Sequence, residues 1–456
     1  MDEPSSKQHQ QKSSWAEVAK KRIAQPKVWI TTAFVVAFLL AWSLFNVRES
    51  TLFPLSLKAR DWTGFGADST VNTERNSANK VIKTVEVGES SKTLWDWLSV
   101  LGVPLTLALL GFWFQWLQQK QSAQQAEVEK EIVETTRKEE AMQAYFDRLS
   151  DLLVDKNLIA IASKVQSFEV EAESSKEGSR SEEIKLPASL QVQKERLDAA
   201  VDVVRARTLA ILRRLEDDAS RKTSIVRFLV EAEVIQKLKL SLRGADLSGV
   251  RLFGADFSRA DFSRADFSRA ILSCADLSCT DLSDAKLNDA KLKGANLRGA
   301  DLRGAKLRCA KLFGADLSGA KLSRAILSDA NLNDTKLNDA DFSRAYLSRA
   351  ILSGANLNDA DLSGADLSYA DLSYAKLRGT KLSRAKLRYT DFSHADLSGA
   401  DLFSADIAHA NLSYADLSEA KNLTEEQLTQ AKLCQTKLSL GIDLNPGRDC
   451  KELENE

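Results

Sequence analysis

Side chains able to carry acid–base, nucleophilic or metal chemistry are few and scattered in this 456-residue sequence. His9 lies near the N-terminus, while His394 and His409 have no serine or cysteine nucleophile arranged beside them and no HExxH pattern. Cys274, Cys279, Cys309, Cys434 and Cys450 make neither a disulfide framework nor the paired CxxC spacing of a zinc site, so reduced thiols are expected. "GFGADS" from Gly64 lacks the third glycine of a dinucleotide fingerprint. Catalysis, a cofactor and a metal are therefore not expected. A different pattern stands out: Tyr369, Tyr389 and His409 recur at intervals of 20, as do Tyr374, His394 and Tyr414. If the chain returns to the same place at that interval these six stack and could form one contact patch, but decoration of positions that tolerate any residue is the plainer reading.

What could make it return is visible in "FSRADFSRADFSRAILSCADLSCTDLS", Phe257 to Ser283, where a large apolar residue comes back every fifth position. Neither the 3.6 period of an α-helix nor the alternation of a strand gives a five. From Leu242 to Leu417 there are 36 such positions without an insertion, all Leu except five Phe and Ile407, and 30 of the residues two before them are Ala. Regularity on this scale indicates a solenoid. Its core is expected to include Leu242, Leu247, Phe257, Phe262, Leu302, Leu362 and Leu402.

The repeats "ADLSG", "ANLRG" and "AKLRC" resemble the A(D/N)LXX pattern of the pentapeptide-repeat family, and the resemblance runs from Leu240 to about Leu438. It implies a mainly β fold, a right-handed quadrilateral β-helix with four repeats per coil, the central residue and the alanine pointing inward. Nine coils at about 4.8 Å would make a rod of about 43 Å. Thr280, Thr335, Thr380 and Thr390 replace alanine, acceptable if their hydroxyls meet backbone partners. The open ends of a stacked rod call for caps or a homodimer. A helix ending near Leu238 is placed to cap the first coil, and the register slip in "AKNLTEEQLTQAKL" reads as a closing turn.

Ahead of the repeats, Val28–Val47 and Leu98–Leu117 are each about the 20 apolar residues that cross a bilayer as a helix. Trp95 and Trp113 would sit about 27 Å apart, as interfacial belts do, and Pro104 is tolerable in a membrane helix. Lys20, Lys21, Arg22 and Lys27 put the N-terminus on the cytoplasmic side. The first stretch lacks a small-x-small cleavage site, so retention rather than signal-peptide removal is expected. Neither span carries an ionisable residue inside, Asp96 lying at the edge, which suits an anchor better than a channel. The expected layout is a tail (1–27), a span (28–47), an extracytoplasmic loop (48–93), a second span (94–117) and a juxtamembrane helix (118–165). A flexible linker (166–190), a helical cap (191–239), the β-helix (240–440) and a tail (441–456) complete it.

The juxtamembrane segment is amphipathic and favours packing on its own domain over a coiled-coil dimer. Arg205, Arg207, Arg213 and Arg214 read as a solvated face rather than a phosphate or lipid contact. "LWDWLSVLGVPLTLALLGFWFQ", "EEAMQAYFDRLSDLLVDKNL" and "RARTLAILRRL" also look like the N-terminal region of membrane-anchored pentapeptide-repeat proteins of cyanobacteria. The best understood functional class of the family, acidic DNA mimics that bind gyrase, is the competing reading. From Leu240 to Ala420, however, 24 Lys or Arg balance 24 Asp or Glu, whereas a DNA mimic needs a sustained negative face. The net charge of −1 likewise gives no reason to expect nucleic acid. The expectation is a multi-pass membrane scaffold with a cytoplasmic rod, meeting the lipid bilayer and an unknown protein partner.

Overall fold

The computed structural model describes residues 69–75, 81–88, 94–155, 157–174 and 187–450. The expected span at Val28–Val47 lies outside them. The chain divides into two compact units, one ending at Ala123 and the other beginning at Gln124.

In the first unit, β1 (Ser69–Arg75) and β2 (Val81–Gly88) pair antiparallel, with a register shift between Glu74 and Arg75. The sequence reading gave this stretch only as a loop. The long helix α1 (Leu94–Ser150) then begins, and the second expected span is its N-terminal part rather than a separate element. Among the described residues no helix is long and apolar enough to cross a membrane. The apolar part of α1 is nevertheless uncovered by protein: Leu105 is 63% exposed, Phe112 71% and Trp116 50%.

In the second unit a single π-helical turn, Asp151–Asp155, ends α1 and leads into α2 (Leu158–Ser174). Helix thus continues past residue 166, where a linker is expected, because Ala162 and Val165 bury their side chains and Gln166 donates from Nε2 to the Lys237 carbonyl at 2.9 Å. After Pro187 come α3 (Ala188–Arg214), α4 (Ala219–Glu231) and the short α5 (Val234–Lys237). Tyr145 of α1 meets the Thr208 hydroxyl of α3 at 2.8 Å, and burial pushes its phenol up to about 12 even though that bond opposes the shift. This interior link favours packing within the unit over a coiled coil.

The cap is continuous with the rod. Leu229, Val234 and Ile235 share one core with Leu242 and Leu247. Lys222 of α4 is fully buried, its ammonium 2.7 Å from the Asp246 carboxylate and 3.4 Å from the Ser248 hydroxyl, both on the first coil. Gly249 lies at φ +69°, and a Cβ there would sit 3.2 Å from that of Ala219, so the helix approaches this corner as closely as glycine permits.

Within the rod, parallel bridges join residues 20 apart, from Asp246–Asp266 to Asp401–Lys421. Four pentapeptides therefore make one coil. Leu242, Leu247, Phe257, Phe262, Leu302, Leu362 and Leu402 are all buried, as are nearly all the alanines two residues before a central position. Thr280, Thr380 and Thr390 donate to the carbonyls of Phe257, Leu357 and Leu367 at 2.9 Å, and Thr335 to Leu332 at 2.5 Å.

A count of backbone donors explains the rest of the repeat. In the repeat around Phe262, Phe262 donates to Asp281, Arg264 to Ser283 and Ala265 to Phe262 across the turn, and Asp266, opening the next repeat, donates to Ala245 one coil back. The Ser263 amide has no backbone acceptor, and the Asp261 carboxylate takes it at 3.0 Å. That is an Asx turn. Asp266, Asp281, Asp341 and Asp391 serve Ser268, Ser283, Ser343 and Ser393 in the same way, which accounts for Asp or Asn before the central residue. At Arg264, φ is +58°, the third-residue conformation of a type II turn, and every corner of the rod repeats it with or without glycine.

These aspartates make the rod acid-sensitive. Burial pushes the Asp261 carboxyl up, but bonds from the Ser241 and Ser263 hydroxyls and the Ser263 amide outweigh it and hold the group below its ordinary value. Asp276 and Asp316 are lowered against the same opposing burial. A carboxyl lowered by folding stabilises above its unfolded value and loses that contribution as pH falls through the folded one. The melting temperature should therefore be flat through neutral pH and fall below about pH 4; a pH series of thermal melts checks this.

At the far end, α6 (Glu425–Leu428) carries the expected register slip, and the next bridges, Asn411–Lys432 and Asp416–Lys437, span 21 residues. The tail turns back over this end. Arg448 donates to the carbonyls of Leu428 at 2.6 Å and Ala431 at 2.5 Å, and the Leu433 amide donates to Asp449 at 2.9 Å. Cys434 and Cys450 form a disulfide with Cα atoms 4.7 Å apart, which corrects the expectation of reduced thiols throughout. The two are brought together by a fold-back outside the repeat, and spacing alone cannot show that. Cys274, Cys279 and Cys309 are free and exposed. Closing a loop of this length contributes about 3 kcal/mol in the chain-entropy model. Cys434→Ser should loosen residues 425–450 and spare the middle coils, as hydrogen exchange with and without reductant would show.

Candidate functional site

The sixfold aromatic pattern becomes two ladders on adjacent corners. Tyr369 stacks on Tyr389 with ring centres 4.9 Å apart, and Tyr389 on His409 at 4.8 Å. On the next corner Tyr374 and His394, then His394 and Tyr414, stack at 4.7 Å. Those spacings are the strand spacing of the rod, so the stacking is imposed by the coil. All six occupy the left-handed turn position, φ +58° to +62°, which aims side chains outward. Tyr369 and Tyr374 are each 61% exposed. Since every corner has this conformation, the strain belongs to the fold and not to a site.

The face between these ladders carries Asp371, Asp391 and Asn411, with Ser373, Ser393 and Ser413. Asp391 accepts from the Ser393 amide at 2.9 Å and from Asn411 Nδ2 at 3.0 Å. On the neighbouring face Lys386 lies 3.8 Å from Asp366, and Arg388 3.5 Å from Asp406 while also 5.9 Å from the Tyr389 ring centre. The sequence reading missed Arg388 and the exposed Phe253, Phe313 and Phe403. The available signal was phenylalanine where the repeat usually has serine. Among the described residues no group of three or more His, Cys, Asp or Glu is arranged to hold a metal ion. What the rod offers is a set of flat, charged and aromatic strips.

Fold and surface together define a solenoid of stacked five-residue repeats with an aromatic double ladder near its C-terminal end. A family model described as pentapeptide repeats matches in 8 copies, with segments from 251–289 through 400–439. The crystal structure of HetL, a pentapeptide repeat protein involved in heterocyst differentiation regulation from the cyanobacterium Nostoc sp. strain PCC 7120, is similar at 32% identity. It covers 45% of this chain and 93% of that one, with a TM-score of 0.25. A second Nostoc PCC 7120 pentapeptide repeat protein, alr5209, also shares 32% identity, covering 28% of this chain and 81% of that one, with a TM-score of 0.15. A trypsin-treated variant of QnrB1, a plasmid-mediated fluoroquinolone resistance protein, shares 22%, covering 43% and 89%, with a TM-score of 0.24. None of the curated proteins matches. The chain belongs to the pentapeptide repeat family.

Proposed function

We propose that this protein is a membrane-anchored, non-catalytic scaffold whose rod presents flat faces to a protein partner, without nucleic acid. The observation that carries the reading is the pair of exposed aromatic ladders on a rigid coil, since tyrosine is enriched where proteins meet. Anchoring is supported by the exposed apolar side chains of α1 from Leu105 to Trp116 and by Lys120, whose ammonium lies 5.2 Å from the Trp116 ring centre. Such amphipathic groups suit a membrane interface. The charge-free sequence of Val28–Val47 supplies the other half of the anchor.

The basic residues from Lys20 to Lys27 favour a cytoplasmic rod, whereas the Cys434–Cys450 disulfide favours the oxidising side, because cytosolic thiols are kept reduced. Protease protection of the C-terminus in sealed membranes decides between them. Alkaline carbonate should leave the full chain in the membrane pellet; release into the supernatant contradicts the anchor. Tyr374→Ala with Tyr389→Ala should deplete the neighbours captured by proximity labelling several-fold without moving the melting temperature, and an unchanged neighbour set removes the ladders from the account. The competing DNA-mimic reading is disfavoured by the alternation of charge along the rod, as in the Lys286–Asp266 and Lys336–Asp316 pairs.

A further inference from the structure

The face bounded by the aromatic ladders also has a distribution of charge that no other face shares. Its N-terminal half carries Arg251, Lys291, Lys293 and Lys311 with no carboxylate on the flat strip. Its C-terminal half carries Asp371 and Asp391, and none of its strip positions from Ile351 to Ser413 is lysine or arginine. The next face instead mixes signs along its length, Asp266 against Lys286 and Asp366 against Lys386. Lys291 and Lys311 are exposed, and among the described residues neither they nor Asp371 and Asp391 form an ion pair.

We infer that this face pairs with the same face of a second copy of the chain, the two rods antiparallel about a twofold axis between Asn331 and Ile351. The 20-residue register fixes the consequences. Lys311 lies opposite Asp371 of the other copy and Lys291 opposite Asp391, each contact occurring twice by symmetry. A twofold axis across the rods keeps each corner facing its own counterpart, so Tyr374 and His394 come over Gly314 and Gly294, where no side chain obstructs them. A parallel arrangement would set lysine on lysine and aspartate on aspartate. Ser373 and Ser393 on the C-terminal half are short, which leaves room opposite them for Phe313 and Lys293 of the other copy.

This inference rests on the reading of the rod as a protein-interaction surface and names one partner for it. The test uses the full chain in detergent with two different tags, one captured and the other detected. Lys291→Glu/Lys311→Glu makes all four pairing positions acidic, and Asp371→Lys/Asp391→Lys makes all four basic. Lysine already occupies the same repeat position at Lys286 and Lys306, and a cooperative melt well above the temperature of the capture experiment confirms folding. Each variant should lose self-capture about tenfold or more, while the two mixed should recover it, with capture weakening as salt rises. Wild-type chains that do not capture each other, variants that capture themselves undiminished, or a mixed pair that fails to recover overturns the pairing. The wider scaffold reading is scored separately, by the neighbour set that Tyr374→Ala/Tyr389→Ala changes.

Discussion

Phe262→Ala should cost the rod about 3–5 kcal/mol, the range for removing a fully buried aromatic side chain. Phe262 is wholly buried between Phe257 and Phe267, with ring centres 5.1 Å apart on each side and edge-to-face angles of 88° and 74°. Removing the middle ring deprives both neighbours of an aromatic contact and opens a cavity that the backbone cannot close. Every coil is tied to the next by hydrogen bonds such as Phe262 to Asp281, so collapse would break the ladder. Solenoids couple chiefly nearest neighbours. The loss should therefore appear in urea melts as early unfolding of the N-terminal coils, with Phe342→Ala, further along, acting on its own coils. Equal loss of protection along the whole rod in hydrogen exchange would contradict this.

The second large effect is at Lys222. Lys222→Ala should destabilise the junction of cap and rod by about 3–4 kcal/mol, because it leaves a void and strips the charge partner from Asp246. Burial pushes the Asp246 carboxyl up, but the Lys222 ammonium and Ser248 together outweigh it and hold it below the ordinary range. Asp246 retains some exposure and its bond from Ser248 at 2.7 Å, so Lys222→Met, which preserves the bulk, should cost about half as much. The readout is hydrogen exchange in α4, lost before that of the middle coils. If the methionine variant is as damaging as the alanine variant, the charge and not the packing holds the junction.

Much of this was legible in the sequence because the five-residue period resembles the pentapeptide-repeat pattern, whose four-repeat coil fixes which residues stack. The ladders followed from it: a difference of 20 between Tyr374 and His394 is a difference of one coil. The closing slip near Thr424 was visible as a break in the same count. Three features were not legible, for separate reasons. A buried lysine contradicts composition rules, and only the meeting of α4 with the first coil reveals Asp246 as its partner. The Cys434–Cys450 bridge depends on a fold-back that no period governs. Strand β1, "STVNTER", is mostly polar, so although β2, "VIKTVEVG", is rich in β-branched residues, the partner it pairs with shows no strand pattern of its own.

Proximity labelling in cells, with the labelling enzyme fused after Glu456 and membranes separated afterwards, tests the scaffold most directly. The account predicts a small reproducible set of neighbours in the membrane fraction, other copies of this chain among them, depleted by Tyr374→Ala/Tyr389→Ala. Gyrase subunits enriched in the soluble fraction would contradict it and favour DNA mimicry instead.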